Sequence, residues 1–336
     1  MTRLFKLPVF FLALMFPSYS MGQQFDWKTG FLGFFDNREV DNTAIYGQTM
    51  FGARLAAEAG ISPDSGNRFA AGANFLYEFG WKGPFKRPSP VLYYEGSCGR
   101  LRYSFGSFSR YNKIDMPVAL LNDTLNYYRP NVEGMFIEYR GQDFRQNAWV
   151  DWTGRKTSAV RETIVMGLSG YFEKGMFIYQ HHLVMNHESL TEPMEVGTYV
   201  RDNFGATVKA GLNLSHIAGL DSLTFIAGGI VSLDRQRHLY SFRYSKGITL
   251  EAGAVYHNFG LHELACFSDG LTILSGDSPY NSMYYNRADV YYSVRKKSVE
   301  ARIQFSYHHI PYTDMVSTII LIKVDTDGIF GRGRKG

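Results

Sequence analysis

From Gln23 onward apolar and polar residues alternate with a period of two, the signature of strands that hold each face in a different environment. The stretch 205–214 is the clearest: Ala206, Val208, Ala210, Leu212 and Leu214 line one face, and Gly205, Thr207, Lys209, Gly211 and Asn213 the other. Residues 299–309 repeat it, with Val299, Ala301, Ile303, Phe305 and Tyr307 against Glu300, Arg302, Gln304, Ser306 and His308. In 248–257, Ile248, Leu250, Ala252, Ala254 and Tyr256 oppose Thr249, Glu251, Gly253 and His257. Further alternating stretches run through 69–81, 134–140, 161–172 and 287–295, and a last strand is expected over 314–324. Read together they predict about sixteen strands, in a range of about fourteen to eighteen. The one candidate helix is two or three turns near 114–127.

Alternation alone suits a secreted β-sandwich or solenoid as well as a membrane barrel, and three features separate them. The apolar faces are long while the opposite faces carry charge, as when lipid lies outside and water inside. Aromatics gather near strand ends: Trp27, Phe34 and Phe35; Tyr77, Phe79 and Trp81; Trp149 and Trp152; Tyr171 and Phe172; Tyr284 and Tyr285; Tyr307 and Tyr312. Such rings favour a membrane–water boundary. The stretches also reach about 9 to 13 residues, enough for a tilted strand to cross a bilayer. Closure follows, because an open sheet edge in lipid strands its backbone donors and acceptors. The expected fold class is therefore all-β, a single closed transmembrane antiparallel β-barrel. Short turns are expected at Glu173-Lys174-Gly175 and Ser245-Lys246-Gly247. Long connections at 111–130, 187–203 and 270–286 read as extracellular loops, one of which could fold inward.

Composition narrows the classes further. The 336 residues are 45% hydrophobic and 20% charged, too apolar for disorder, and two cysteines exclude a disulfide scaffold. No apolar stretch is long enough for a membrane helix. A formal charge of +4 is too small to imply a nucleic-acid partner. Residues 1–22 have the layout of a secretory signal peptide: Arg3 and Lys6, an apolar core from Leu7 to Phe16, then Ser20-Met21-Gly22. Residues 23–330 are then the barrel and 331–336 a basic tail. Cys98 and Cys266 are either paired after export or left as two free thiols.

Three runs look like family signatures: Phe34-Phe35-Asp36-Asn37-Arg38-Glu39, Tyr128-Arg129-Pro130-Asn131, and Trp149-Val150-Asp151-Trp152-Thr153-Gly154-Arg155. With the signal, the alternating strands and the aromatic girdles, the chain resembles a Gram-negative outer-membrane porin or porin-like protein. The resemblance implies integral outer-membrane localisation, a setting of outer-membrane lipid and lipopolysaccharide, small polar solutes as cargo, and a homo-oligomer as one assembly state. Such barrels usually close on a terminal aromatic, whereas Phe330 here is followed by Gly331-Arg332-Gly333-Arg334-Lys335-Gly336.

Alternation assigns the lumen Arg54, Arg102, Arg140, Arg161, Lys209, Arg243 and Arg302, with Glu58, Glu78, Glu138, Asp151, Glu251, Asp289 and Glu300. Such a mixed lining supports a transverse field that sorts solutes, or simply pairs and hydrates the wall. The first functional expectation is a porin-like channel for small hydrophilic solutes. The alternative is a plugged barrel serving as surface receptor or scaffold, suggested by the apolar 114–127 segment. A hydrolase ranks behind both, because no serine motif accompanies a histidine; His182 near Asn186 is the one imaginable base. Each His-His pair, 181–182 and 308–309, turns only one ring inward. No catalytic, cofactor or metal site is assigned, since strands divide His181, His182 and His187 between two faces. The barrel is therefore expected not to be an enzyme.

Overall fold

A computed structural model describes residues 24–41, 47–83, 86–194 and 197–329. The expected signal peptide and basic tail lie outside the described residues. The first six strands are β1 (Gln24–Val40), β2 (Gln48–Asp64), β3 (Asn67–Glu78), β4 (Ser89–Cys98), β5 (Leu101–Ser109) and β6 (Asn131–Arg140). Then come β7 (Phe144–Gly154), β8 (Thr163–Lys174), β9 (Phe177–Glu188), β10 (Arg201–Asn213) and β11 (Ser222–Gln236). The last five are β12 (Arg243–Tyr256), β13 (Phe259–Ser268), β14 (Tyr284–Lys296), β15 (Val299–Ile310) and β16 (Thr313–Ile329). Each pairs antiparallel with its sequence neighbours, and β1 pairs with β16 from Asp26↔Ile329 to Val40↔Met315, closing the barrel. Every strand edge is thereby satisfied, which is what lipid demands.

The described chain is an integral outer-membrane β-barrel of sixteen strands, as the alternation predicts. Lipid-facing side chains include Leu92, Phe105, Val208, Ile248, Leu250 and Phe305, each about half exposed or more. Connections such as 65–66, 99–100, 175–176 and 297–298 crowd one end, and the longer 110–130, 189–200 and 269–283 leave the other. Short turns belong to the periplasmic side, so the long connections are extracellular. The 173–175 turn lies where expected. The one expected at 245–247 does not exist; those residues continue β12, since the 237–242 connection already reverses the chain. The last strand runs longer than 314–324, and the candidate helix shrinks to α1 (Leu125–Tyr128). A second short helix, α2 (Ser215–Ala218), lies in the periplasmic 214–221 connection. Cys98 is exposed and Cys266 buried, both free thiols.

Two extracellular connections fold into the lumen. From the 110–130 segment, Ala119 and Leu120 join Leu271, Ile273 and Tyr280 of the 269–283 segment. Together they pack on Val184, Ile230, Leu264, Cys266, Tyr285, Ile310 and Met315 of the wall. Leu121, with Ile114, Met116 and Leu125, packs on Val91, Tyr93, Phe108, Val132, Phe136 and Trp149 across the barrel. Tyr127 stacks on Phe34 with ring centroids 4.5 Å apart. The lumen is thus spanned by apolar packing, worth roughly 25 cal/mol for each Å² of apolar surface removed from water. Two glycines allow the close approach. A Cβ on Gly205 would lie 3.0 Å from Leu120 and 3.1 Å from Ile273, and one on Gly276 would collide with the Ala119 carbonyl.

The same alternation corrects the aromatic reading. Rings on opposite parities of one strand cannot share a face, so Phe34, Trp149 and Tyr285 are buried inside rather than set in a girdle, while Tyr77, Trp81, Trp152 and Tyr307 are exposed.

Candidate active site

The inserted segments are held by charge. Asp151, 1% exposed, pairs with Arg110 and Arg129 at the two ends of the 110–130 segment and accepts the Glu133 amide at 3.0 Å. Arg110 also joins the ends directly, its amide donating to the Pro130 carbonyl at 2.7 Å. At the extracellular end Arg38 of β1 grips Asp277 of the 269–283 segment through two bonds of 3.1 and 2.9 Å. Asn122 donates its amide to Ser275 at 2.7 Å, and Asp277 donates its amide to Val118 at 3.0 Å, so the two segments pair with each other.

Beneath that latch lies a cavity of about 30 Å³ bordered by Asp36 and Arg38 of β1, Asp123 of the inserted segment, Asp277, Arg287 of β14, His308 of β15 and Ser317 of β16. Its volume suits about one water. The strand register creates its chemistry. Ser306 stands opposite Ser317, and Arg287 opposite His308, so inward side chains one pleat apart on three neighbouring strands converge. Ser317 Oγ lies 2.8 Å from His308 Nε2, and Tyr285 Oη lies 2.7 Å from His308 Nδ1. All three are buried. With Ser317 donating to Nε2, the Nδ1–H donates to the tyrosine oxygen, which fixes the ring's tautomer. That is a hydroxyl, a base within hydrogen-bond reach and a third group orienting the base. Three carboxylates (Asp36, Asp123, Asp277) face two guanidiniums (Arg38, Arg287) around it. Burial pushes the Asp123 carboxyl above its ordinary range, Arg287 pulls it down and Asp277 pushes it up again. Burial, with Asp36 close by, likewise raises the Tyr127 phenol.

The residues assigned to the lumen from sequence have several fates. Lys209 pairs with Glu251, and both border a cavity of about 360 Å³ together with Asp289, which holds Arg287 at 2.7 Å. Arg102, Glu138 and Arg140 border a second cavity of about 800 Å³ near the periplasmic end. Arg54 donates to the Asn126 carbonyl of the inserted segment, and Glu58 accepts from Tyr93 at 2.8 Å. Glu78 pairs with Lys86, Glu300 with Arg295 at 2.6 Å, and Arg302 lies over the Tyr291 ring. One assignment is corrected. Arg161 precedes β8 and donates to the Ser189 and Tyr199 carbonyls of an extracellular loop, because the strand begins two residues later than the alternation suggested. Arg243, at the extracellular end of β12, stands opposite Asp234 on the lumen-facing parity, is exposed and stacks on Tyr240 at 4.0 Å. His182 is no paired base: Nδ1 has no partner among the described residues, and Asn186 is engaged by Ser275 at 2.9 Å. Among the described residues no cluster of His, Cys, Asp and Glu has a metal-holding arrangement.

A family model described as lipid A 3'-O-deacylase-type matches residues 19–322. The chain belongs to the lipid A 3'-O-deacylase-type family. Membership in a family described by an enzymatic activity overturns the expectation that the barrel is not an enzyme. The hydroxyl, imidazole and phenol that meet here, Ser317, His308 and Tyr285, come from three strands and form no motif, so a reading of the sequence alone does not bring them together. The one available signal was the inward parity of His308 and Ser317 together with the cross-strand register, and the register is not written in the sequence. Among solved structures, OmpT of Vibrio cholerae, in a trimer form, is similar with a TM-score of 0.54 and 8% identity, over 91% of this chain and 100% of that one. A loop-deletion form of the same protein gives 0.55 and 9%, again over 91% and 100%. A variant of the porin of Rh. blastica gives 0.50 and 11%, over 89% and 100%. At such identities the likeness is one of fold, and it places this lipid A 3'-O-deacylase-type chain on a porin-like outer-membrane barrel. No curated protein matches the chain.

Proposed function

We propose that the protein is an outer-membrane acyl-ester hydrolase acting on an acylated, phosphorylated glycolipid of the lipid A class. The observation that carries the reading is the Ser317–His308–Tyr285 relay at the extracellular end of a filled lumen. The family's description supports the ester class. In this reading Ser317 Oγ attacks the acyl carbonyl carbon as His308 Nε2 takes its proton, Tyr285 holds the ring, and Arg38 or Arg287 faces the developing oxyanion. Collapse breaks the ester C–O bond, and His308 returns the proton to the departing sugar hydroxyl. Water, deprotonated by the same nitrogen, then releases the fatty acid from Ser317. An acyl chain needs more room than the cavity offers, so entry requires the segment latched by Arg38–Asp277 to lift.

The test is fatty-acid release from lipid A by purified protein in detergent. Ser317→Ala and His308→Ala are each expected to lower it by about a thousandfold or more, and Tyr285→Phe by about a hundredfold. Release by Ser317→Ala at the parent rate would overturn the assignment.

A channel for small polar solutes is the second reading, favoured by the cavities of about 360 and 800 Å³ that flank the inserted segments. It requires both segments to leave the lumen; their packing favours the plugged barrel over a standing pore.

A further inference from the structure

Lower in the lumen lies a polar cavity whose wall residues the hydrolytic reading leaves idle. Cross-strand register sets Asn147, Ser169, His182 and Thr207 opposite one another on β7, β8, β9 and β10, all on the inward parity. Thr249 of β12 joins them around the cavity, which measures about 360 Å³. Ser169 is engaged, its hydroxyl donating to the Asp115 carbonyl of the inserted segment at 2.8 Å. The others are not. Asn147 Oδ1, His182 Nδ1, Thr207 Oγ1 and Thr249 Oγ1 are buried with no partner among the described residues. Asn147, Thr207 and Thr249 are each 2% exposed. A buried polar group without a hydrogen bond is costly, so four around one cavity point to an occupant that supplies the bonds. The space far exceeds that of one water and falls in the range of small-molecule pockets.

We propose that this cavity binds an uncharged, hydroxyl-rich molecule of about monosaccharide size, entering from the periplasmic half of the lumen. Charge chooses the occupant. Around the cavity Lys209 pairs with Glu251, Arg287 with Asp289 at 2.7 Å and Arg145 with Asp115 at 2.6 Å. Three cations facing three carboxylates leave none over for an ionic ligand, a phosphorylated lipid included. A hydroxyl both donates and accepts, so it suits the Asn147 acceptor, the two threonine hydroxyls and either tautomer of His182. Ile230 and Leu264 add apolar wall for the C–H faces of a ring. Arg145 stands near the periplasmic turn before β7 and Asp115 beside it is exposed, which sets the mouth on that side. Val118 and Arg287 border both this cavity and the one beside Ser317. The inference does not rest on hydrolysis.

The test is titration calorimetry of the purified full chain in detergent with D-glucose, D-galactose and N-acetyl-D-glucosamine. Gluconate and D-glucosamine, of similar size but charged, serve as controls. At least one neutral sugar is expected to bind saturably, and its charged counterparts at least tenfold more weakly. No saturable heat from any neutral sugar, or equal affinity for the charged ones, overturns the proposal. The double variant Thr207→Val, Thr249→Val keeps the branched shape of both side chains and removes two unpartnered hydroxyls. It is expected to bind the sugar at least tenfold more weakly while melting, without sugar, no lower than the parent. Unaltered affinity overturns the proposal, and so does a lower melting temperature, which would show the hydroxyls already bonded within the wall. Should the variant fail to show the heat-dependent gel mobility of a folded barrel, the parent's discrimination between neutral and charged sugars decides.

Discussion

Asp151 is a single carboxylate on which both ends of an inserted segment close. Removing it leaves Arg110, 3% exposed, buried without a counter-ion. Losing one partner of a buried pair costs about 3–5 kcal/mol. Asp151→Ala is therefore expected to lower the melting temperature measurably; an unchanged temperature would mean that Arg110 finds another partner. The inward parity of Asp151 is legible from alternation, but Arg110 lies past the end of β5, where period two says nothing. Asp123 makes a pH-dependent contribution. Its folded carboxyl titrates above its unfolded value, so the stability it lends is full below the ordinary carboxylate range and is lost as pH rises through the raised value. Asp123→Asn is expected to flatten part of the fall in melting temperature as pH rises above the ordinary carboxylate value of about 4. A slope identical to the parent's would remove Asp123 from the account.

At the scale of elements, the 110–130 segment decides whether the barrel is filled. Its apolar run at 114–127 is readable in the sequence as something that has to be buried, and the structure buries it in the lumen. Its partner is not readable. The 269–283 segment reads as a plain loop, and only the fold shows Leu271, Ile273 and Tyr280 meeting Ala119 and Leu120. Fully buried Leu120 in such a place is worth about 2–5 kcal/mol against alanine. Deleting residues 112–127 should empty the space between the walls. Planar-bilayer recording is expected to show large discrete conductance steps for the deletion and none for the parent. Silence from both would mean that other elements close the pore.

For the molecule as a whole, the sixteen strands, their order and the membrane setting follow from alternation, because the barrel puts lipid and interior on opposite faces of every strand. The site does not follow in the same way. Tyr285, His308 and Ser317 meet through cross-strand register, and register depends on turn geometry and closure between β1 and β16. The inserted segments and the latch fill the lumen, and the proposal is that Ser317 beneath them acts as the nucleophile on an acyl ester. Mass spectrometry of lipid A extracted from outer membranes carrying this protein reads that claim directly. The account expects a species lighter by one acyl chain, absent when Ser317→Ala is expressed to the same level as a folded barrel. Lipid A of unchanged mass with the parent protein, or the same lighter species with the variant, would contradict it.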